Sequence, residues 1–216
     1  MSTAQATPVA TAPPASTPPP PPPAPPEPSG VAWVARFPTS TSVADCVQPF
    51  RGNVTAFIAA LRAAGASVDI AATLRPVQRA WLMHWCWAIV HHGVDPRGVP
   101  ARGDVAIVWA HVNAQGGYDA AASMAAAQAM VDAYGMHGLE VAPALNSEHT
   151  VGTAIDMAIA WTGTLAIADH AGKPVKITSL PRTGMNADLK TVGAGYGVIK
   201  FVGGASDIPH WSIDGH

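Results

Sequence analysis

The distribution of proline divides this chain into two unequal parts. Twelve of the 21 prolines lie within the first 28 residues, and residues 1–30 contain one charged side chain, Glu27, and no aromatic one. A segment of this composition cannot bury enough apolar surface to offset the entropy that it loses on ordering. We therefore predict a disordered tail over residues 1–30, with polyproline II character around residues 18–23, and one folded domain over residues 31–216.

The charge balance of the chain argues against nucleic acid as a partner. The sequence has 12 Lys and Arg residues against 14 Asp and Glu residues, for a formal net charge of −2, and its basic residues form no run. Nucleic-acid-binding domains instead cluster basic side chains on one surface. The apolar stretches are too often interrupted to predict a membrane span. We expect a monomer with neither a nucleic-acid partner nor a membrane span.

The two cysteines indicate neither a disulfide scaffold nor a thiolate zinc site, since the sequence has no C-x-x-C motif. Cys86 lies in the apolar run Trp85-Cys86-Trp87. We interpret it as a buried thiol that serves as a small hydrophobic side chain. The sequence leaves open a bridge between Cys46 and Cys86.

Hydrophobic periodicity predicts that helices lead and that strands dominate the later part of the chain. We predict helices over residues 53–64, 76–91, 119–134 and 185–195. We predict strands over residues 67–73, 153–159 and 210–214, and two more around a loop at residues 171–174. This order favours the α+β class, with a small antiparallel sheet flanked by helices.

Two segments combine histidine with aspartate. In the first, Gly152 permits a turn that brings His149 back over the predicted strand 153–159. On that strand, Asp156 points away from the core between two alanines, which leaves room for a metal ion and a substrate. In the second, Pro209 shapes a short turn that places Asp207 beside His210. Two imidazoles and one carboxylate favour zinc over magnesium or calcium, and three protein ligands leave a fourth position for water.

These residues resemble the motifs of the M15 zinc peptidases. The family includes D-Ala-D-Ala carboxypeptidases and dipeptidases, and the L-alanyl-D-glutamate endopeptidases of phage lysins. The motif S-x-H-x-x-G-x-A-x-D is filled at every fixed position, by Ser147, His149, Gly152, Ala154 and Asp156. The motif carboxylate-x-x-His-aromatic is filled by Asp207, His210 and Trp211. The family's Arg at a strand-to-helix junction, followed shortly by Gln, is matched by Arg75 and Gln78.

The resemblance implies a role for each matched residue. His149, Asp156 and His210 would be the zinc ligands in a single cleft. Asp207 would be the general base, and Arg75 would bind a substrate carboxylate or the oxyanion. Ser147 would orient His149 or contact substrate, and substrate contacts are further implied for Gln78 and Trp211. The sequence departs from many members at Asp207, where they have Glu, and at Leu74, where an aromatic residue is usual.

The resemblance further implies that the substrate is a peptidoglycan stem peptide. Within the family we favour an L-alanyl-D-glutamate endopeptidase, with a D,D-carboxypeptidase or dipeptidase as the nearest alternative. A zinc-stabilised module that binds cell wall without catalysis is a second class. An adaptor acting through the proline-rich tail is a third, although no Lys or Arg flanks those prolines, and a spacer fits them better.

The first residues lack the basic segment and the apolar core of a secretory signal. We expect synthesis in the cytoplasm and action on the cell wall or in the periplasm, after lysis or through a secretion system.

Overall fold

The computed structural model describes residues 25–216. Most of the predicted tail, residues 1–24, lies outside the described residues. Residues 25–30 were predicted to belong to that tail, but part of this segment pairs with the body. Glu27 and Pro28 align in parallel with Ile107 and Val108, and the backbone N–H of Ser29 donates to the Val108 carbonyl at 2.8 Å. The folded part therefore begins before residue 31. Composition alone does not predict this, because the pairing is made by backbone groups.

The described residues form five α-helices and eight strands. The helices are α1 (Phe50–Ala63), α2 (Val77–His92), α3 (Ala120–Ala133), α4 (Glu148–Val151) and α5 (Ala187–Gly195). The strands are β1 (Glu27–Pro28), β2 (Ser67–Ala72), β3 (Ile107–Val108), β4 (Ala154–Ala160), β5 (Leu165–Ala168), β6 (Pro174–Ile177), β7 (Ile199–Lys200) and β8 (His210–Ser212). Helices and small, mainly antiparallel sheets are thus mixed in one chain, which confirms the predicted α+β class.

Local sequence signals account for the main helices. In α1, the buried residues Val54, Phe57, Ile58 and Leu61 follow the spacing of one helix face. Helix α3 is capped by Asp119, the first residue of the predicted helix 119–134, whose carboxylate accepts the backbone N–H of Ala122 at 2.9 Å. Apolar spacing thus accounts for α1, and the Asp119 cap accounts for the start of α3.

A four-stranded antiparallel sheet in the order β2-β4-β8-β7 carries the candidate site. Asp156 on β4 lies opposite His210 on β8, and its other cross-strand neighbour is Ala72 on β2. The register of β2 shifts between Ile70 and Ala72. The sheet thus places an aspartate and a histidine side by side, although they are far apart in the sequence.

Two hydrophobic cores stabilise the fold. The first lies on one face of the sheet against α1 and α5, and includes Phe57, Ile155 and Trp211. The second surrounds α2 and α3, and includes Trp81 and Met130. Cys46 belongs to the first core and Cys86 to the second, and both thiols are free and buried. Cys46 and Cys86 therefore form no disulfide bridge with each other.

Within residues 25–216, no helix combines the length and the apolar character that crossing a bilayer requires.

Candidate metal centre

Strand β4 presents Asp156 on the face opposite the core. Ile155, Met157 and Ile159 are buried in the first core, as the predicted alternation requires. The side chain of Asp156 points the other way and is 18% exposed. The strand therefore anchors the carboxylate through its neighbours while leaving it accessible from one side.

A tight turn returns His149 to the same place. Helix α4 ends at Gly152, whose φ of 85° lies in the left-handed region that favours glycine. His149 is buried, and its carbonyl accepts the backbone N–H of Arg75 at 3.0 Å. That hydrogen bond ties α4 to the junction between β2 and α2, so one short helix connects two predicted parts of the site.

The two histidines approach the same carboxylate oxygen. Nε2 of His149 lies 3.1 Å from Oδ1 of Asp156, and Nδ1 of His210 lies 3.2 Å from that atom. The two rings are nearly perpendicular, with centroids 5.0 Å apart. Ligand atoms from all three residues lie within 4.8 Å of one another, so this group could hold a metal ion.

In each histidine, the ring nitrogen that faces away from Asp156 forms a hydrogen bond with a backbone carbonyl. Nδ1 of His149 donates to the Thr73 carbonyl at 2.6 Å, and Nε2 of His210 donates to the His216 carbonyl at 3.0 Å. A neutral imidazole has a single N–H, so these bonds leave lone pairs on the two nitrogens that face Asp156. When both rings are neutral, Nε2 of His149, Nδ1 of His210 and Oδ1 of Asp156 are therefore three hydrogen-bond acceptors that face one another without a donor. A cation at this point removes the conflict, and outer partners of this kind orient ligating histidines in metalloproteins.

In the metal-free protein, the negative charge of Asp156 and the positive charge of a protonated His210 stabilise each other. Burial alone raises the pKa of the Asp156 carboxyl, but the hydrogen bonds and the positive charges of His149 and His210 together outweigh burial and hold that pKa well below its ordinary value. Burial lowers the pKa of His210, but the hydrogen bonds to Asp156 and to the His216 carbonyl, together with the negative charges of Asp156 and Asp207, outweigh burial and raise that pKa above its ordinary value. Without metal, the site therefore favours a negative carboxylate beside a protonated imidazole.

A cleft of about 440 Å³ opens onto the three residues. Its lining includes most of the predicted site, namely Arg75, Ser147, His149, Asp156, Asp207 and His210. Oδ2 of Asp207 lies 3.9 Å from Nδ1 of His210, and the Asp207 side chain is 45% exposed. The buried hydroxyl of Ser147 donates to no acceptor among the described residues, which leaves its proton free for a ligand.

Two predicted substrate contacts do not reach this cleft. Trp211 is fully buried in the first core and packs against Phe57, because residues next to each other on β8 point to opposite faces and His210 takes the cleft side. The assignment of Trp211 to substrate binding is therefore wrong. Gln78 does not line the cleft, and its amide instead donates to Asp104 at 2.9 Å.

Several further residues of the site carry no recognisable motif in the sequence. Glu148, Phe201 and His216 line the cleft. Lys200 is buried, and its ammonium donates to the carbonyls of Asp207 and His210. Burial lowers the pKa of Lys200. The only signal for Lys200 in the sequence is a lone cation between the apolar residues Ile199 and Phe201.

A scan against protein-family models finds no match for this chain, and searches of curated proteins and of solved structures find none either.

Proposed function

We propose that this chain is a zinc-dependent peptidase that hydrolyses bonds in peptidoglycan stem peptides. The observation that carries the proposal is the convergence of His149, Asp156 and His210 on one cleft that also exposes a carboxylate, Asp207, and a guanidinium, Arg75. The choice of stem peptides, and of an L-alanyl-D-glutamate cut within them, rests on the resemblance of the motifs to the M15 zinc peptidases.

The donor set supports zinc as the metal. Two imidazole nitrogens and one carboxylate oxygen are typical ligands for zinc, and three protein ligands leave a position open for substrate or water. Magnesium and calcium prefer shells made of oxygen alone. A bound zinc ion would supply Lewis acidity to a scissile carbonyl and would lower the pKa of a water molecule to about 7.

Asp207 and Arg75 have separate roles in the proposed reaction. Asp207 accepts the proton of the attacking water and returns it to the leaving amine, since its carboxylate borders the metal site and is accessible from the cleft. Arg75 holds a substrate carboxylate or stabilises the developing oxyanion. Among the described residues its guanidinium has no hydrogen-bond or salt-bridge partner, so it is available to a ligand.

Digestion of purified peptidoglycan tests this proposal directly. The protein is incubated with added zinc, and the soluble fragments are identified by mass spectrometry. We expect new L-alanine carboxyl ends and D-glutamate amino ends, with no release after chelation of the metal. Release of free D-alanine alone would identify a D,D-carboxypeptidase, and zinc binding without any product would identify a non-catalytic module.

Substitution of the base separates catalysis from metal binding. Asp207→Asn keeps the size of the side chain and removes its basic oxygen. We expect zinc to remain bound while kcat falls by about 10²–10⁴-fold. Asp132→Asn on α3, also an exposed aspartate, is the matched control and should retain full activity. An Asp207→Asn protein with wild-type kcat would show that another group serves as the base.

A further inference from the structure

A lysine lies buried on the core side of the candidate metal centre. Lys200 is the last residue of β7, and it pairs with Trp211 on β8. It is 5% exposed, although no carboxylate among the described residues forms a salt bridge with it. A buried ammonium destabilises a fold unless its hydrogen-bond donors find partners. The partners of Lys200 therefore indicate what this side chain does.

The ammonium of Lys200 contacts the backbone of two residues of the site. It donates to the carbonyl of His210 at 2.8 Å and to the carbonyl of Asp207 at 3.1 Å. It also lies 5.6 Å from the ring centroid of Trp211, within the range of a cation–π contact. One side chain thus joins both ends of the segment 207–210.

The position of Asp207 depends on this backbone contact. Among the described residues, the carboxylate of Asp207 forms no hydrogen bond, and its one ion-pair partner is His210, whose Nδ1 lies 3.9 Å away. The Asp207 carbonyl likewise accepts a hydrogen bond only from Lys200 within that part of the chain. By contrast, the carbonyl of His210 also accepts the backbone N–H of Phe201 at 3.2 Å. The Pro209 carbonyl in the same segment also accepts the backbone N–H of Met157 at 2.9 Å, so Lys200 is the side chain that holds the Asp207 end of the segment.

We propose that Lys200 is a positioning residue that holds Asp207 and His210 in register through their carbonyl groups. It touches neither the metal nor the substrate, and it acts through the geometry of the segment 207–210. The part of the inference that concerns Asp207 as a base rests on the proposed function. The part that concerns metal binding by His210 does not.

The test compares Lys200→Met with wild-type protein. Methionine keeps the length of the side chain and removes both hydrogen bonds. The matched control is Lys173→Met, which removes the charge of an exposed lysine in the β5–β6 turn. Zinc affinity is measured by competition with a chelating dye, and kcat and KM are measured separately on a soluble stem peptide.

Loss of an outer partner in a metal site typically lowers metal affinity or activity by about 10–100-fold. We expect Lys200→Met to bind zinc about tenfold more weakly and to lose kcat by a similar factor, with little change in KM. Lys200→Arg keeps the charge and the donors, and should recover part of both losses. A folded Lys200→Met protein within about twofold of wild type in zinc affinity and in kcat overturns the inference.

The two proposals fail in different ways. If wild-type protein releases no peptide but Lys200→Met weakens zinc binding, the positioning role stands and the proposed function fails. If wild-type protein is active and Lys200→Met matches it, the positioning role fails alone. Should Lys200→Met not fold, as judged by circular dichroism, Lys200→Gln takes its place, since its shorter amide cannot bridge both carbonyls, and the same thresholds apply.

Discussion

Asp156 and His210 are direct cross-strand neighbours on β4 and β8, and the same carboxylate oxygen lies 3.2 Å from Nδ1 of His210 and 3.1 Å from Nε2 of His149. Both rings use their far nitrogen to donate to a backbone carbonyl. When both rings are neutral, the two nitrogens that face Asp156 therefore carry lone pairs, and the centre could hold a cation.

This arrangement predicts an unusual result for Asp156→Asn. An amide N–H can donate to an imidazole lone pair, whereas the carboxylate cannot. At pH 8 we expect metal-free Asp156→Asn to be at least as stable as metal-free wild-type protein, as measured by denaturant titration. Zinc should stabilise only the wild type, by about 2.7 kcal/mol at a free concentration of 100 times Kd.

His137→Ala is the control for that experiment, because His137 is an exposed histidine on the surface beside Asp132. It should bind zinc as the wild type does. Equal stabilisation of Asp156→Asn and wild-type protein by zinc would place the metal elsewhere.

Stability of the metal-free protein should depend on pH in two opposite ways. The folded state lowers the pKa of Asp156, so the resulting stabilisation is present above the ordinary value of about 4 and is lost as the pH falls through the folded value. The folded state raises the pKa of His210, so that stabilisation is present below about 6.5 and is lost as the pH rises through the folded value. We expect the free energy of unfolding to be greatest between about pH 4 and 6.5 and to decrease toward pH 8.

Zinc should reverse the upper part of this profile, because metal binding requires neutral imidazoles and an ionised carboxylate. The measurement is a series of denaturant titrations with and without a chelator. A chelated wild-type protein that becomes steadily more stable from pH 6 to pH 8 contradicts the assigned interaction between Asp156 and His210.

Both thiols should be unreactive in the native protein. Burial raises the pKa of Cys86 to about 12 and also raises the pKa of Cys46. At pH 8 a thiol with a pKa of about 12 is ionised in about one molecule in 10⁴, and the thiolate is the reactive form. We expect a thiol reagent to label neither cysteine before unfolding and both in denaturant. Rapid labelling of native protein at either position would contradict this burial.

Helix α5 offers a matched pair of glycines for testing the first core. A Cβ at Gly193 would lie 2.8 Å from the Trp211 ring and 2.9 Å from the Val198 carbonyl, whereas a Cβ at Gly195 would meet nothing within 4 Å. We expect Gly193→Ala to lower the free energy of unfolding by about 1–3 kcal/mol through overpacking. Gly195→Ala should be neutral or stabilising by up to about 1 kcal/mol, since alanine favours the helix.

Thermal and denaturant unfolding of the two variants check this expectation. Equal stability of the two would show that α5 does not approach Trp211 as closely as described.

Local patterns were sufficient to predict much of the site. Alternation along residues 153–159 placed Asp156 opposite the core side chains, and Gly152 indicated the turn that returns His149. The same alternation, applied to β8, puts Trp211 into the core once His210 faces the cleft. Its assignment to substrate binding followed the motif instead of the strand geometry, and it was wrong for that reason.

The chain's own sequence thus determined which side chains belong to the candidate site and which way Asp156 points from its strand, because those properties depend on neighbouring residues. Only the tertiary structure decided that Asp156 pairs with His210, that the carbonyls of Thr73 and His216 orient the two rings, and that Lys200 holds the segment 207–210. These contacts arise from strand register and from backbone groups. Every residue has a backbone carbonyl, so the residue types in the sequence do not show which carbonyl will accept a hydrogen bond from a distant side chain.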